Sequence, residues 1–217
     1  MFSGEGRLVR RSREEAEETR QALLTTALEL FAERGADAVT MKEIATQAGV
    51  THGAMYWHFR NKQHLLTQVH QQTLIPFEPH YLEQRQAVQQ DALGALEGFI
   101  RGSLRALAED PQARQAYRLF HYGRRSSPAL QPLSEQLDAE VESWQAYLHY
   151  FLKQAKKQKQ LRKKLDLDQI SASLLISLVG ALDLWLTMPQ RYDLRLLTDY
   201  LIAIDLEGLR SLKKSMV

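Results

Sequence analysis

Apolar residues return every three or four positions along almost the whole chain, which is the spacing of one helix face. Leu24, Ala27, Leu28 and Phe31 share such a face. Ser12 and Glu15 have capping-box spacing and predict where that helix starts, with Glu14 adding negative charge to its first turn. Gly35 is placed to stop it. Thr40 and Glu43 repeat the capping-box spacing ahead of Met41, Ile44, Ala45 and Ala48, a short apolar face broken by Gly49. Thr51 is a cap for a third helix, and Asn61 for a fourth that carries Leu65, Leu66 and Val69 inward.

The segment from Ile75 to Pro79 is the best internal break. Beyond it, Leu93, Leu96, Ile100, Leu104 and Leu107 predict a helix ending near Pro111, followed by a short one from Ala113 to Phe120. Leu133, Leu137, Val141, Trp144, Leu148 and Phe151 predict a long one. Two apolar-rich helices, Gln169 to Met188 and Leu194 to Leu212, close the chain on either side of Pro189. No useful run alternates as a strand would, so the fold class is all-α.

Composition narrows the chemistry. The 217 residues include no cysteine, which removes disulfides, thiolate metal sites and thiol nucleophiles. His52, His58, His64 and His70 are six apart and do not stack on one helix face as metal ligands would. No phosphate-cradling glycine loop or nucleophile elbow is present, so neither an enzyme nor a cofactor is expected. The start of the chain lacks a signal-peptide stretch, and the apolar run Ile170–Met188 carries Ser171, Ser173, Ser177, Asp183 and Thr187. A cytoplasmic protein that spans no membrane is the expectation.

Net charge is only +2, but its distribution is uneven. From Ile44 to Phe77 there is no acidic residue, while Arg60, Lys62 and the four histidines lie within that stretch. Such a surface approaches phosphate without repulsion. The same stretch reads as a helix-turn-helix. Ala45 is small enough for a second helix to cross the first, Gly49 supplies the turn, and Val50 and Met55 fill the angle. The second helix presents Thr51, His52, Gly53, Tyr56 and Trp57 near its start, where a recognition helix meets base edges.

The linked pattern Thr40-Met-Lys-Glu-Ile-Ala45, Ala48-Gly-Val-Thr51, Gly53-Ala-Met-Tyr-Trp-His-Phe59 and Asn61-Lys62 resembles the DNA-binding domain of the TetR family over Arg13–Leu66. Its Tyr-Trp-His-Phe version is most similar to the AcrR-like subfamily, which represses multidrug-efflux operons. The resemblance implies an N-terminal three-helix DNA-binding domain, residues 1–62, and a larger helical ligand-binding and dimerisation domain, residues 63–217. It implies phosphate contacts from Thr40, Tyr56, His58 and Lys62, and places Thr51, His52 and Gly53 against base edges. Arg10, Arg11 and Arg13 form a basic arm able to reach DNA. Trp57 either touches DNA or packs on the first helix. His52 stands where AcrR-like proteins often carry arginine or lysine.

For the C-terminal part the resemblance implies a homodimer through the last two helices, where Ser173, Ser177 and Ala181 form a stripe of small residues. Gly94, Gly98 and Gly102 share one helix face, fitting either a close helix neighbour or a ligand space. Phe99, Tyr117, Phe120, Trp144, Tyr147, Phe151 and Trp185, with Gly98, are the candidate ligand contacts. The basic run Lys153–Lys164 is read as a solvated helix end. Two functional readings compete. One is a repressor released from a double-stranded DNA operator by a small hydrophobic effector, controlling an efflux or detoxification operon. The other is a DNA-binding protein of the same fold regulated by a protein partner.

Overall fold

A computed structural model describes residues 5–73, 75–162 and 164–211, with side chains described from residue 13 onward apart from Arg210. All regular structure among these residues is helical. The chain forms two compact units, Met1–Leu74 with Gln115–Ser134, and Ile75–Arg114 with Glu135–Val217. The cut falls at the Ile75–Pro79 break, not at residue 62, because the fourth helix buries Leu65, Leu66 and Val69 in the first unit. The first unit also takes in Gln115–Ser134.

The first unit opens with α1, Glu5–Arg34. Ser12 therefore lies inside this helix and its spacing with Glu15 does not mark the start. The Glu, Arg and Leu residues that precede it are good helix formers and carry the helix upstream of Ser12. Gly35, at φ +84°, ends α1 with its N–H donating to the Phe31 carbonyl at 2.9 Å. Then come α2, Met41–Gln47, α3, His52–His58, and α4, Lys62–Gln72. Leu23, Leu24, Ala27, Leu28 and Phe31 of α1 are buried with Ile44, Ala45, Met55, Phe59 and the α4 leucines. After the short α7, Pro111–Tyr117, come one π turn, Arg118–Tyr122, and two 3-10 turns, Gly123–Ser126 and Pro128–Leu133. Leu119, Phe120, Leu130 and Leu133 are buried there.

The second unit is built from α5, Phe77–Ala87, α6, Ala92–Glu109, α8, Ser134–Lys157, α9, Leu167–Thr187, and α10, Leu194–Ser211. Helix α6 packs against α5 and α10, and α10 against α9. The end of α8 is locked onto the start of α6. Gln158 and Gln160 accept from the Ala92 and Leu93 N–H groups at 3.0 and 3.1 Å, satisfying donors a helix start leaves free. The basic run thus ends in a structural splice, with Lys159 in the left-handed region at φ 61°. Helix α9 is long and apolar enough to cross a membrane by length and composition, and it buries Leu174, Leu175, Leu178, Ala181 and Leu182 within this unit.

Candidate DNA interface and internal aromatic core

Each element of the helix-turn-helix is fixed by local hydrogen bonds. The Thr40 hydroxyl accepts from the Glu43 N–H at 3.2 Å, and the Thr40 N–H donates to the Glu43 carboxylate at 2.8 Å. Together these close the capping box. The same carboxylate also takes the Thr40 hydroxyl proton at 2.7 Å and pairs with Arg34 at 2.7 Å. Hydrogen bonding from Thr40, then from Arg34, pushes the Glu43 carboxyl down to about 2. Both donors of Thr40 are therefore committed inside the fold, which makes this residue the cap of α2.

The turn after α2 is a Schellman motif. Gly49 adopts φ +69° and donates to the Thr46 carbonyl at 3.1 Å, while Val50 reaches the Ala45 carbonyl at 3.0 Å. The Thr51 hydroxyl then accepts from Ala54 at 3.2 Å and starts α3. Met55 is fully buried and anchors α3, whereas Val50 is only half-buried.

The opposite face of α3 stands in solvent. Trp57 is 73% exposed and Tyr56 50% exposed, so Trp57 does not pack on α1. Tyr56 meets His52 edge-on at 5.6 Å, and Trp57 meets His58 edge-on at 4.5 Å. Thr51, His52 and Gly53 are exposed beside them. A Cβ placed on Gly53 would meet only the Thr51 hydroxyl at 3.9 Å, so packing within the chain does not require glycine there. His58 is half-buried, and burial followed by the charge of Arg20 lowers its pKa, favouring the neutral ring at neutral pH.

Lys62 is more constrained than its sequence context shows. Its ammonium donates to the carbonyls of Asp37 and Val39 at 3.1 and 2.9 Å. Arg13 is exposed at the start of the described side chains, while the side chains of Arg10 and Arg11 lie outside the described residues. Arg20, which carried no sequence signal, donates to Gln68 at 2.6 Å and lies over the Phe59 ring at 5.9 Å.

In the second unit, Phe99, Trp144, Tyr147 and Phe151 come together with Phe77 and Tyr81. Phe77 stacks on Trp144 at 4.6 Å, Phe99 lies 5.5 Å from Phe151, and Tyr81 stacks on Tyr147 at 4.1 Å. Phe77 and Tyr81 were not singled out from the sequence, because the helix break at Pro76 and Pro79 hid their register. Three other residues are elsewhere. Tyr117 and Phe120 belong to the first unit, with Tyr117 on His121 at 5.6 Å and Phe120 on His70 at 5.0 Å. Trp185 carries Arg114 over its ring at 5.8 Å and lines an open cleft of about 390 Å³. Gly98 and Gly102 face α5 side chains, since a Cβ there would meet Gln84 at 2.6 Å and His80 at 2.8 Å. At Gly94 it would meet the helix's own cap, Asp91, at 2.5 Å.

The last two helices leave an apolar face uncovered. Ile176 and Leu184 of α9 and Leu196, Tyr200 and Ile204 of α10 are exposed. The small-residue stripe divides. Ala181 is buried and Ser177 hydrogen-bonds Asp205 within the unit, whereas Ser173 and Gly180 are exposed.

The buried Met55, the glycine turn at Gly49 and the exposed aromatic face of α3 define a helix-turn-helix protein with a larger helical domain attached. The chain belongs to the TetR family of bacterial regulatory proteins, whose model matches residues 23–69. The transcriptional regulator SrpR of Pseudomonas putida is 31% identical over 160 residues, covering 74% of this chain and 71% of SrpR. The regulator AcrR of Shigella flexneri is 28% identical, covering 92% and 93% of the two chains. Among solved structures, NalD, secondary repressor of the MexAB-OprM multidrug efflux pump in Pseudomonas aeruginosa, superposes with TM-score 0.75. It is 26% identical, over 90% of this chain and 98% of NalD. A complex of SmeT with triclosan has TM-score 0.71 and 25% identity, over 88% and 91%. The likeness thus extends over the C-terminal domain, and the relatives are transcription regulators, not enzymes.

Proposed function

We propose that this protein is a homodimeric repressor that holds an operator with the exposed face of α3 and lets go when a small hydrophobic molecule enters the aromatic core of the second unit. The observation that carries the DNA half is the bare face of Thr51, His52, Gly53, Tyr56 and Trp57. It lies in a stretch with no carboxylate from Ile44 to Phe77. Gly53 fits this reading because a missing side chain lets backbone approach the groove wall, offsetting its helix penalty of about 1 kcal/mol. Thr51, His52 and Gly53 lie against base edges in this reading. Tyr56, His58 and the free donor of Lys62 meet phosphates, and Trp57 adds an exposed aromatic edge.

The exposed face of Ile176, Leu184, Leu196, Tyr200 and Ile204 supports pairing with a second copy. Two recognition helices then reach major grooves about 34 Å apart or a multiple of a turn. The ligand half rests on the packed rings of Phe77, Phe99, Trp144, Tyr147 and Phe151 and on the SmeT–triclosan complex. A ligand releases DNA only if it binds the opened core better than the closed one. An efflux operon as the target is supported by what NalD represses. The experiment is direct: form the complex with a duplex selected from random sequence by the protein, then add triclosan. Release with a two-fold-symmetric site supports the reading, and a complex unmoved by triclosan and by a panel of hydrophobic drugs leaves regulation by a protein partner.

A further inference from the structure

Asp37 sits in the loop between Gly35 and the Thr40 cap, and it ties three separate segments of the first unit together. Its carboxylate accepts from the Ser127 hydroxyl at 2.5 Å and from the Ala129 N–H at 2.9 Å. Its carbonyl accepts from Lys62 at 3.1 Å, and Val39 in the same loop accepts from the same ammonium at 2.9 Å. Ser127 is buried while Asp37 itself is exposed, so this bond anchors a surface loop to the edge of the packed interior. An ammonium has three N–H donors, and the loop carbonyls engage two, leaving one that the loop does not take.

We propose that Asp37 is a positioning residue of the DNA interface, a clamp from Ser127 and Ala129 through the loop to Lys62 that presents the remaining Lys62 donor to a phosphate. The proposal rests on the Lys62–phosphate reading above. Without the carboxylate the loop keeps at most one neutral acceptor for the Ser127 hydroxyl and the Ala129 N–H, so its hold on the 3-10 turn weakens and the two-carbonyl seat of Lys62 loosens. The side chain then recovers rotamer freedom that DNA binding must remove again. Ser127 belongs to this mechanism although it is 90 residues away in sequence.

Charge and positioning predict opposite signs. Asp37→Asn removes a negative charge from a DNA-facing unit, which on electrostatics alone tightens binding. As a clamp residue its loss weakens binding, by about three- to ten-fold if it frees one lysine side chain. Ser127→Ala changes no charge and weakens binding in the same direction. The experiment measures DNA affinity and its salt dependence for wild type, Asp37→Asn, Ser127→Ala, Lys62→Ala and the two double variants with Lys62→Ala. The probe is a duplex selected from random sequence by the wild-type protein, and each variant is assayed well below its own melting temperature.

The clamp predicts that Asp37→Asn and Ser127→Ala each weaken binding and that neither has a further effect once Lys62 is alanine. Effects that simply add to that of Lys62→Ala overturn it, as does tighter binding by Asp37→Asn with Ser127→Ala unchanged. If Lys62→Ala alone leaves affinity and salt slope untouched, the phosphate reading of Lys62 falls first and the clamp with it. Should Asp37→Asn fold poorly, Ser127→Ala carries the test alone, since it removes one of the two bonds of the clamp and leaves the charge unchanged.

Discussion

The two compact units keep their chemistry in opposite places. In the first, the outward residues of α3 stand in solvent, with Tyr56 and Trp57 half to three-quarters exposed while Met55, just before them in sequence, is fully buried. In the second, Phe99 and Phe151 are fully buried, and what is exposed is an apolar face on α9 and α10. An exposed aromatic on a well-capped short helix has no folding task, so its presence points outward to a partner. A buried aromatic has a folding task already, so a ligand entering there has to displace packing between rings.

The largest expected effect lies on the exposed face of the second unit. Ile176→Asp with Ile204→Asp puts two carboxylates on it, and a dimer held there weakens by on the order of 100-fold or more. Sedimentation is expected to show monomer at micromolar concentration, with DNA affinity falling in parallel. A dimer that survives both changes moves the contact elsewhere.

Within α3 the contrast between inward and outward residues is testable at Met55 and Trp57. Met55→Ala is expected to cost about 2–5 kcal/mol of stability, as other buried methionines do. Trp57→Ala is expected to stay within about 0.5 kcal/mol while weakening DNA binding. Thermal melts and DNA titrations of the two variants check this. A destabilised Trp57→Ala places that ring in the fold after all.

The glycine face sharpens the other side of the comparison. Gln84 occupies the space over Gly98, so Gly98→Leu is expected to cost about 1–3 kcal/mol by overpacking. Gly98→Ala asks only that a flexible amide swing aside and recovers helix propensity of about 1 kcal/mol, so it is expected to be near neutral. A Gly98→Leu protein that melts no lower than wild type reopens the ligand-space reading at that position.

The smallest effect is the response to acid. Glu43 is held at about 2, and Asp37 is lowered chiefly by its bond from Ser127. Both carboxyls bind protons more weakly folded than unfolded. Their contribution is complete above the unfolded carboxylate range, near about pH 4, and is lost as pH falls towards the folded values. Glu43→Gln is expected to flatten the fall in melting temperature between about pH 4 and 2. An unchanged slope means the capping box is not titrating as assigned.

Much of the first unit was legible in the chain because its signals are local. Thr40 with Glu43, Gly49, Thr51 and Asn61 each act within a few residues, and the caps form as their spacing predicts. The links that escaped are long-range. Nothing near Asp37 announces Ser127, and nothing near Lys62 announces that two carbonyls hold its ammonium. In the second unit, periodicity found the helices but not their partners. It did not show that Gln84 and His80 cover the glycines, or that Tyr117 and Phe120 fold with the first unit. It also did not show that Ser177 and Ala181 are used inside the unit.

The central claim is that the exposed face of α3 reads DNA. It is tested most directly by selecting bound duplexes from a random pool with wild type and His52→Ala. The account predicts a near-palindromic site whose half-sites are about one helical turn, or a multiple, apart. It further predicts that His52→Ala keeps that site and relaxes preference at one base pair in each half. A pool with no enriched sequence, or one left unchanged at every position by His52→Ala, would contradict it.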